Sequence, residues 1–281
     1  MKVQESFKDE SIGLYVVSTP IGNLSDITFR ALEILKTADL VLCEDTRVTS
    51  KLFFHYEIKT PLESYQKFNE QEKLDEIIAY LKEGKKIALV SDAGTPLVND
   101  PGFILVKECI ANDIPVVPIP GASSMLTALV ASGLLPQPFT FIGFLPRKQS
   151  EARTTLEFYK GRSETLIFFE SPLRVSKTLE LMYDVLGDRR LSLGRELTKK
   201  FETFYRGNLK EMYTLEFDTR GEYVIILEGE FKKEELILDI VSQVNIYMEA
   251  GLSEKDAMKK VAKVLGVHKS EIYKAYKIVK E

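Results

Sequence analysis

Cysteine, histidine and tryptophan are scarce in this sequence of 281 residues, which contains two, two and none of them. Cys43 and Cys109 have no CxxC partner, so we expect no disulfide framework and a reducing, cytoplasmic location. His55 and His268 are too few to build a histidine-rich zinc site or a Ser/His/Asp triad. We therefore expect neither a metal centre nor a catalytic triad.

Long apolar runs are absent as well. No run approaches the length of a membrane span, and the polar segment MKVQESFKDES lacks the pattern of a signal peptide, so we expect no membrane association. The 44% apolar content is ample for two domain cores. The predicted organisation is a polar tail (1–12), a first α/β domain (13–133), a second α/β domain (134–231) and a small helical appendage (232–281).

Short apolar runs end in loops that are rich in glycine, proline, hydroxyl or acidic residues. The clearest is IALV at 87–90, a run typical of a strand covered on both faces, which ends in the loop SDAGTP. Runs at 14–17, 40–43 and 115–119 end in loops containing STPIGN, EDTR and PGASS. Helical segments alternate with these strands, which predicts a parallel sheet with all four loops at one edge, where ligands bind.

Capping residues indicate where the helices of this first half begin. We predict that Ser25 or Asp26 caps the first helix, that a helix covers 49–55, and that Pro101 starts a helix ending near residue 112. For any single loop, a well-formed strand-to-helix turn is the simpler explanation, because short glycine motifs recur by chance. Only the combination of loops indicates a site.

The second half has a different pattern. After a proline-containing linker at 134–138, strands at 139–144, 166–169, 191–196, 201–206 and 223–227 follow one another closely, which predicts a mixed sheet. From about residue 232 the pattern is helical. Ser253 with Asp256 resembles a capping box, and Ser270 is placed to cap a later helix. These helices form either a helix-turn-helix or an ordinary hairpin packed on the body.

Charge is unevenly distributed along the chain, whose net charge is −4. Basic residues outnumber acidic ones at 141–162, 189–210 and 251–281, so the remainder is strongly acidic. A basic surface on an acidic body fits a phosphate-bearing partner such as nucleic acid. Solvated helix faces with alternating charges explain the same windows equally well.

Taken together, the loop motifs resemble those of a known family. LYVVSTPIGNLSDIT, CEDTR, VSDAGTPLVNDPG, PIPGASS, FIGFLPRK, FFESPLR and GRELTKKFE occur in an order and at spacings similar to those of the ribosomal RNA small-subunit methyltransferase I family, within the tetrapyrrole methylase superfamily. The resemblance implies an S-adenosylmethionine-dependent enzyme that methylates the ribose 2′-oxygen of a cytidine in small-subunit (16S) rRNA. It also implies a homodimer of chains with two α/β domains and the cofactor between them.

Two loops depart from the wider superfamily, which often has a glycine-richer first loop and a GDP-type second loop. That departure disfavours a porphyrinoid substrate. Carried over by position, the expected cofactor-binding residues come from three loops of the first domain and one strand of the second: Pro20, Ile21, Asp92, Ala93, Gly94, Val98, Ser123, Ser124 and Phe169. Small and apolar groups admit an adenine and a methionine arm, and Asp92 and the serines provide polar contacts.

The catalytic group remains open at this point. Asp45 is a candidate general base, with Arg47 holding a neighbouring phosphate, because both follow a sheet strand. Rival candidates in the second domain are Glu170, Arg174, Arg195, Glu196 and Lys199. An ion-pair network across the domain cleft explains these charges as well as catalysis does. The expected phosphate contacts are Arg147, Lys148, Arg153, Lys199 and Lys200.

Other classes of function remain possible on the sequence alone. One is an S-adenosylmethionine-dependent methylase of another substrate, either a tetrapyrrole-like small molecule or a protein. Another is a nicotinamide or nucleotide enzyme, although no acidic residue follows a GxGxxG at the dinucleotide-binding spacing. A third is a non-catalytic RNA-binding protein, but four such loops at one sheet edge argue against this class. Naked RNA and the assembled small subunit are both possible substrates.

Overall fold

A computed structural model of the chain describes residues 2–6, 13–230, 233–265 and 267–278, without the side chains of 233–238 and 278. The described part contains two five-stranded sheets followed by three helices. Of the predicted tail, residues 1 and 7–12 lie outside the described residues, as do 231, 232, 266 and 279–281 of the segments at the other end. Along the described residues, no helix is long and apolar enough to cross a bilayer.

The first sheet is entirely parallel, as predicted, with the strand order β3-β2-β4-β1-β5. Both of its faces are covered. On one face Ile87 packs with Leu105, and on the other Ala88 packs with Leu35. Burial on both faces explains the unbroken apolar run at 87–90. The strands are β1 (Gly13–Val17), β2 (Leu40–Cys43), β3 (Leu62–Ser64), β4 (Lys86–Leu89) and β5 (Val116–Ile119).

Five helices accompany this sheet: α1 (Phe29–Thr37), α2 (Thr46–His55), α3 (Glu70–Lys82), α4 (Phe103–Ala111) and α5 (Ser124–Ser132). The predicted cap of α1 is wrong. Thr28 caps α1 by accepting a hydrogen bond from the Ala31 N–H, while Ser25 and Asp26 lie in a separate 3-10 turn capped by Asn23. Helix α2 begins three residues earlier than predicted, because Asp45 is its cap.

The predicted start of α4 at Pro101 is also wrong. Gly102 is the N-cap, with φ of 127°, a backbone conformation that residues with a Cβ rarely adopt. A Cβ there would lie 2.6 Å from a methyl group of Leu89. Helix α4 therefore begins at Phe103, after a turn that fits closely against strand β4.

The second sheet is mixed, as predicted, with the order β6-β7-β10-β8-β9, in which only β6 and β7 are parallel. One face packs on helices, as where Phe168 meets Met182. The elements are β6 (Phe139–Phe144), α6 (Gln149–Tyr159), β7 (Thr165–Glu170), α7 (Val175–Leu186), β8 (Arg190–Arg195), β9 (Thr203–Asn208), α8 (Leu209–Met212) and β10 (Tyr223–Leu227).

Helix α5 joins the two domains. It follows the last strand of the first sheet, yet Ala128 and Leu129 pack against Ile167 and Ile226 on the opposite face of the second sheet. Ile21, from the loop after β1, belongs to the same apolar cluster. Helix α5 and the loop after β1 therefore pack on the second sheet, and this contact brings the loop edge of the first sheet against the second domain.

The last three helices, α9 (Lys233–Glu249), α10 (Glu254–Leu265) and α11 (Lys269–Ile278), pack on one another around Val244, Val261 and Ile272. The predicted hairpin is thus part of a three-helix unit. Ser253 Oγ accepts from the Asp256 N–H (3.2 Å), as predicted for the start of α10. Ser270 does not cap α11, because it lies inside the first turn, where its N–H donates to His268 Nδ1 (3.4 Å).

Candidate active site between the two domains

Three loops at the carboxyl edge of the first sheet are tied directly together. Thr19 and Gly94 exchange two backbone hydrogen bonds, Thr19 N–H to Gly94 O (2.9 Å) and Gly94 N–H to Thr19 O (3.1 Å). Thr95 Oγ1 lies 3.1 Å from Ser18 Oγ and donates to the Ala122 carbonyl (3.3 Å). The loops after β1, β4 and β5 therefore form one rigid wall.

Glycines allow these loops to approach one another. Gly94 has φ of 81°, and a Cβ there would lie 3.2 Å from Ile21 Cγ2. A Cβ at Gly121 would lie 2.8 Å from Ser18 Cβ, a distance that Cβ atoms essentially never show. The glycines of SDAGTP and PGASS are therefore required because neighbouring loops lie too close to leave room for a side chain.

A cavity of about 380 Å³ lies between this wall and the second sheet. Its size and composition suit a small organic ligand, since apolar walls surround a few polar groups. The first domain contributes Ile21, Asp92, Ala93, Gly94, Thr95, Val98, Asn99, Asp100, Ser123, Ser124 and Met125. The second domain contributes Phe144, Phe169, Glu170, Ser171, Pro172, Leu197, Gly221, Glu222, Tyr223 and Val224. We call this space the interdomain cavity.

Eight of the nine residues expected to bind a cofactor line the interdomain cavity; the exception is Pro20. Sequence reasoning missed most of the second domain's contribution, including Phe144, Leu197 and Gly221. Phe144 lies within the quoted motif FIGFLPRK, which was a usable signal. Leu197 lies within the quoted motif GRELTKKFE, whereas Gly221 belongs to none of the motifs and reaches the cavity only because it precedes β10.

Pro20 lines a second, smaller hollow of about 230 Å³ on the other side of the loop after β1. Its walls come from that loop, from the end of β4 and from helix α2: Thr19, Pro20, Gly22, Leu24, Val48, Thr49, Lys51, Leu52, Ser91 and Asp92. Asp92 lines both spaces. We call this space the α2 hollow.

Asp45 and Arg47 form a tight ion pair at the start of α2. The Arg47 guanidinium donates to both carboxylate oxygens of Asp45, with Nη2 to Oδ2 at 2.6 Å, and the Arg47 N–H donates to Oδ1 (2.8 Å). These hydrogen bonds lower the pKa of Asp45 to about 2. A carboxylate of such low pKa is a weak base, which argues against the role predicted for Asp45.

Asp92 has the opposite electrostatic environment. Burial raises its pKa above the ordinary 3.8, although its Oδ1 accepts a hydrogen bond from the Asp45 N–H (3.0 Å). Burial likewise raises the pKa values of neighbouring Asp100 and Glu44. The pKa values of Glu44, Asp92 and Asp100 are therefore raised, whereas the pKa of neighbouring Asp45 is lowered.

Among the second-domain candidates, Glu170 is almost fully buried and has its oxygens occupied. Oε1 accepts from the Ser171 N–H (2.8 Å), and Oε2 accepts from Thr178 Oγ1 (2.6 Å) and pairs with Arg174 (3.5 Å). Arg195 pairs with Asp218 at 2.8 Å. Glu170, Arg174 and Arg195 thus take part in ion pairs within the second domain and not across the domain cleft.

Lys199 crosses the gap between the domains. Its Nζ donates to Glu196 Oε1 (2.8 Å) and Glu222 Oε2 (3.2 Å), and its aliphatic stem covers Gly22 of the first domain so closely that a Cβ at Gly22 would collide with it. Burial acts to lower the pKa of Lys199, but the two carboxylates outweigh it and raise the pKa. Lys199 therefore stays charged, and its side chain contacts both domains.

The remaining basic candidates lie on the second domain. Arg147 and Lys148 are exposed in the loop after β6, with Lys148 3.3 Å from Glu151. Arg153 is half-buried and pairs with Asp184 at 3.7 Å, while Lys200 is exposed beside Phe201. Neither Arg147 nor Lys148 lines the interdomain cavity, although Phe144, three residues before Arg147, does.

Comparison with known proteins identifies the class to which this fold belongs. Residues 13–213 match the family model of the Tetrapyrrole (Corrin/Porphyrin) Methylases. Two solved structures share the fold, each with a TM-score of 0.59. The methyltransferase CobJ covers 78% of this chain and 95% of its own at 18% identity. A diphthine synthase covers 79% of this chain and 92% of its own at 15% identity.

Similarity to curated relatives is much closer. Ribosomal RNA small subunit methyltransferase I of Bacillus subtilis (strain 168) is 47% identical over 289 residues, with 99% of each chain covered. The proteins of that name from Streptococcus pyogenes serotype M1 and Mesorhizobium japonicum are each 44% identical, covering 98% and 93% of this chain. The chain therefore belongs to the tetrapyrrole methylase family and, within it, to the ribosomal RNA small subunit methyltransferase I family.

Proposed function

We propose that this protein transfers a methyl group from S-adenosylmethionine to the ribose 2′-oxygen of a cytidine in small-subunit (16S) rRNA. The observation that supports this most directly is the convergence of motif residues from both domains on one cavity, in a chain whose near full-length relatives carry that enzyme name. The homodimeric state, the cytoplasmic location and an assembled small subunit as substrate belong to the same proposal.

The residues of the interdomain cavity fit the methyl donor. Gly94 and Gly121 let the loops of the cavity wall pack closely together. Apolar side chains such as Val98 and Phe169 suit the adenine and the thioether of the donor. Ser124 and Asp92 suit the polar groups of the donor. When bound, S-adenosylmethionine supplies an activated methyl group that bonds to the acceptor oxygen as the sulfonium becomes a neutral thioether. Among the described residues no cluster of metal ligands is present.

The chain's own residues must position the acceptor hydroxyl and take its proton. Positioning alone supplies roughly 7–11 kcal/mol in favourable intramolecular models. For the proton we propose Asp92 rather than Asp45, because Asp92 lines both the interdomain cavity and the α2 hollow, whereas Asp45 is engaged by Arg47. Arg47 keeps its predicted role near a phosphate.

Transfer of labelled methyl from S-adenosylmethionine to small-subunit particles from a strain lacking this protein tests the proposal. We expect label at one cytidine 2′-oxygen, mapped by resistance to alkaline cleavage. Naked 16S rRNA run in parallel identifies the substrate form. Label on a protein or a small molecule, or no transfer by a chain that binds S-adenosylhomocysteine, would refute the rRNA assignment.

Charge reversal at Arg147 and Lys148 tests the proposed RNA contacts. Replacing both with glutamate removes two phosphate contacts, so RNA affinity and the salt dependence of binding should fall, while S-adenosylhomocysteine affinity should stay the same. The control reverses two exposed lysines of the first domain, Lys36 and Lys82. If both double variants bind RNA like the wild type, this loop does not contact RNA.

A further inference from the structure

We propose that the α2 hollow is the subsite for the acceptor nucleotide, with the exposed face of helix α2 following the RNA strand that leads to it. This inference rests on the proposed rRNA methylation and adds the place where the RNA enters. The structural basis is a second concave space, formed by one domain, that meets the interdomain cavity at a single shared side chain.

The loop after β1 separates the two spaces. Ile21 lines the interdomain cavity, whereas its neighbours Pro20 and Gly22 line the α2 hollow. Among the described residues, Asp92 alone lines both. A ligand in each space therefore has only the Asp92 position in common. Methyl transfer requires two ligands to meet at one point, and this junction provides it.

The walls of the α2 hollow suit a nucleoside. Leu24 and Val48 are each 39% exposed at its edge and offer apolar surface to a base. Thr19, Thr49 and Ser91 are buried where they line it, and the hydroxyls of Thr19 and Ser91 donate to backbone carbonyls, which fixes the shape of this wall. At about 230 Å³ the hollow is smaller than the usual range for drug-sized ligands, so it suits one nucleoside drawn out of its stack rather than a macrocycle.

Helix α2 carries the charge pattern expected beside such a subsite. Arg47, Lys51 and Phe54 are spaced by four and three residues, which places them on one face of the helix. The Arg47 side chain is 87% exposed, Phe54 is 89% exposed and Lys51 lines the hollow. Cations alternating with an exposed aromatic ring are typical of surfaces that bind single-stranded nucleic acid.

Substitutions in full-length protein test the subsite. Lys51→Met keeps the aliphatic stem and removes the charge, and Val48→Glu adds a negative charge at the edge. Lys59→Met, an exposed lysine beyond the end of α2, is the matched control. The readouts are KM for small-subunit particles, the salt slope of RNA binding, and the Kd of S-adenosylhomocysteine, which also reports folding.

We expect Lys51→Met to raise KM about tenfold, the effect of one lost charge-assisted contact. The salt slope should fall by about 0.7, as for one phosphate contact on a single strand. Val48→Glu should raise KM further, and Lys59→Met should match the wild type. None of the three should change the S-adenosylhomocysteine Kd. Equal KM values for Lys51→Met, Val48→Glu and Lys59→Met would overturn the subsite.

Photocrosslinking gives an independent readout. A photoreactive pyrimidine at the methylated position should crosslink to residues 47–54 of the wild-type chain. Crosslinks confined to the second domain would overturn the subsite even if Lys51→Met weakened RNA binding. Absence of methyl transfer by the wild type would refute the proposed function instead, so the two failures are distinguishable.

Discussion

Two neighbouring carboxylates in the cleft differ in basicity because their surroundings differ. Asp45 is held by Arg47 at 2.6 Å, which lowers its pKa to about 2, whereas burial raises the pKa of Asp92. Environments that separate the pKa values of adjacent acids are typical of acid–base sites. At the scale of single residues, Asp45 is the cap of helix α2, and we propose Asp92 as the proton acceptor.

Asparagine substitutions separate the two roles. Asp92→Asn should lower kcat by about 100-fold or more, the range for loss of a general base. Asp45→Asn should keep most of kcat, because asparagine is an equally good cap. Steady-state kinetics on small-subunit particles measure both. A loss in Asp45→Asn as large as that in Asp92→Asn would restore Asp45 as the base.

The pH dependence of the wild type follows from the same assignment. The base acts only when it is ionised, and burial raises the pKa of Asp92 above 3.8. The rate of the chemical step should therefore fall as the pH drops through that raised pKa. If Asp45 were the base, the rate would hold until the pH approached about 2. Single-turnover rates across the acidic range distinguish these outcomes.

Gly22 allows the aliphatic stem of Lys199 to pack against the first domain. Its φ is 156°, and any Cβ would collide with the Lys199 stem. Gly22→Ala should destabilise the protein by roughly 1–3 kcal/mol, as overpacking does, and adding Lys199→Ala in a double variant should recover part of that loss. Gly133→Ala is the control, because Gly133 has a positive φ with open space around it. Urea unfolding measures all four variants, and strictly additive effects of Gly22→Ala and Lys199→Ala would contradict the contact.

At the scale of elements, the sequence predicts strands better than helix ends. The runs at 14–17, 40–43 and 87–90 match β1, β2 and β4 within one residue, because burial on both faces requires continuous apolar sequence. Helix starts are ambiguous where several capping residues lie close together. Before α1, Asn23 caps a 3-10 turn and Thr28 caps the helix, and local sequence does not distinguish these uses.

Alanine substitutions at Thr28 and Ser25 should have different effects on stability. Thr28→Ala should lower the free energy of unfolding by about 1 kcal/mol, because it removes the acceptor for the Ala31 N–H. Ser25→Ala should have almost no effect, because Asn23 supplies the side chain that caps the turn. Midpoints of urea unfolding measure the difference. Equal losses in both variants would show that the turn and the helix depend on each other.

At the scale of the whole molecule, two domains line the candidate site, and the sequence predicted mainly the residues that the first domain contributes. First-domain loops carry recognisable motifs, so Asp92, Ala93 and Gly94 were expected together. Tyr223 and Val224 were not, because apolar residues on strands of a mixed sheet give no sign of which face meets a ligand. The packing of helix α5 on the second sheet determines that face.

A ligand that contacts both domains should stabilise them together. S-adenosylhomocysteine at 100 times its Kd should add about 2.7 kcal/mol and raise the Tm by several degrees, whereas NAD should not. Differential scanning calorimetry measures the shift. A shift with NAD instead would favour a nucleotide enzyme.

The most direct test of the central claim is the Kd of S-adenosylhomocysteine, measured by titration calorimetry on variants of each domain. Ala93→Leu fills the cavity from the first domain, Phe169→Ala empties it from the second, and Phe158→Ala removes an exposed ring of α6 that does not line it. We predict that both cavity variants weaken binding at least about tenfold, equivalent to roughly 1.4 kcal/mol, and that Phe158→Ala leaves it unchanged. Wild-type affinity in either cavity variant would contradict a donor site shared by the two domains.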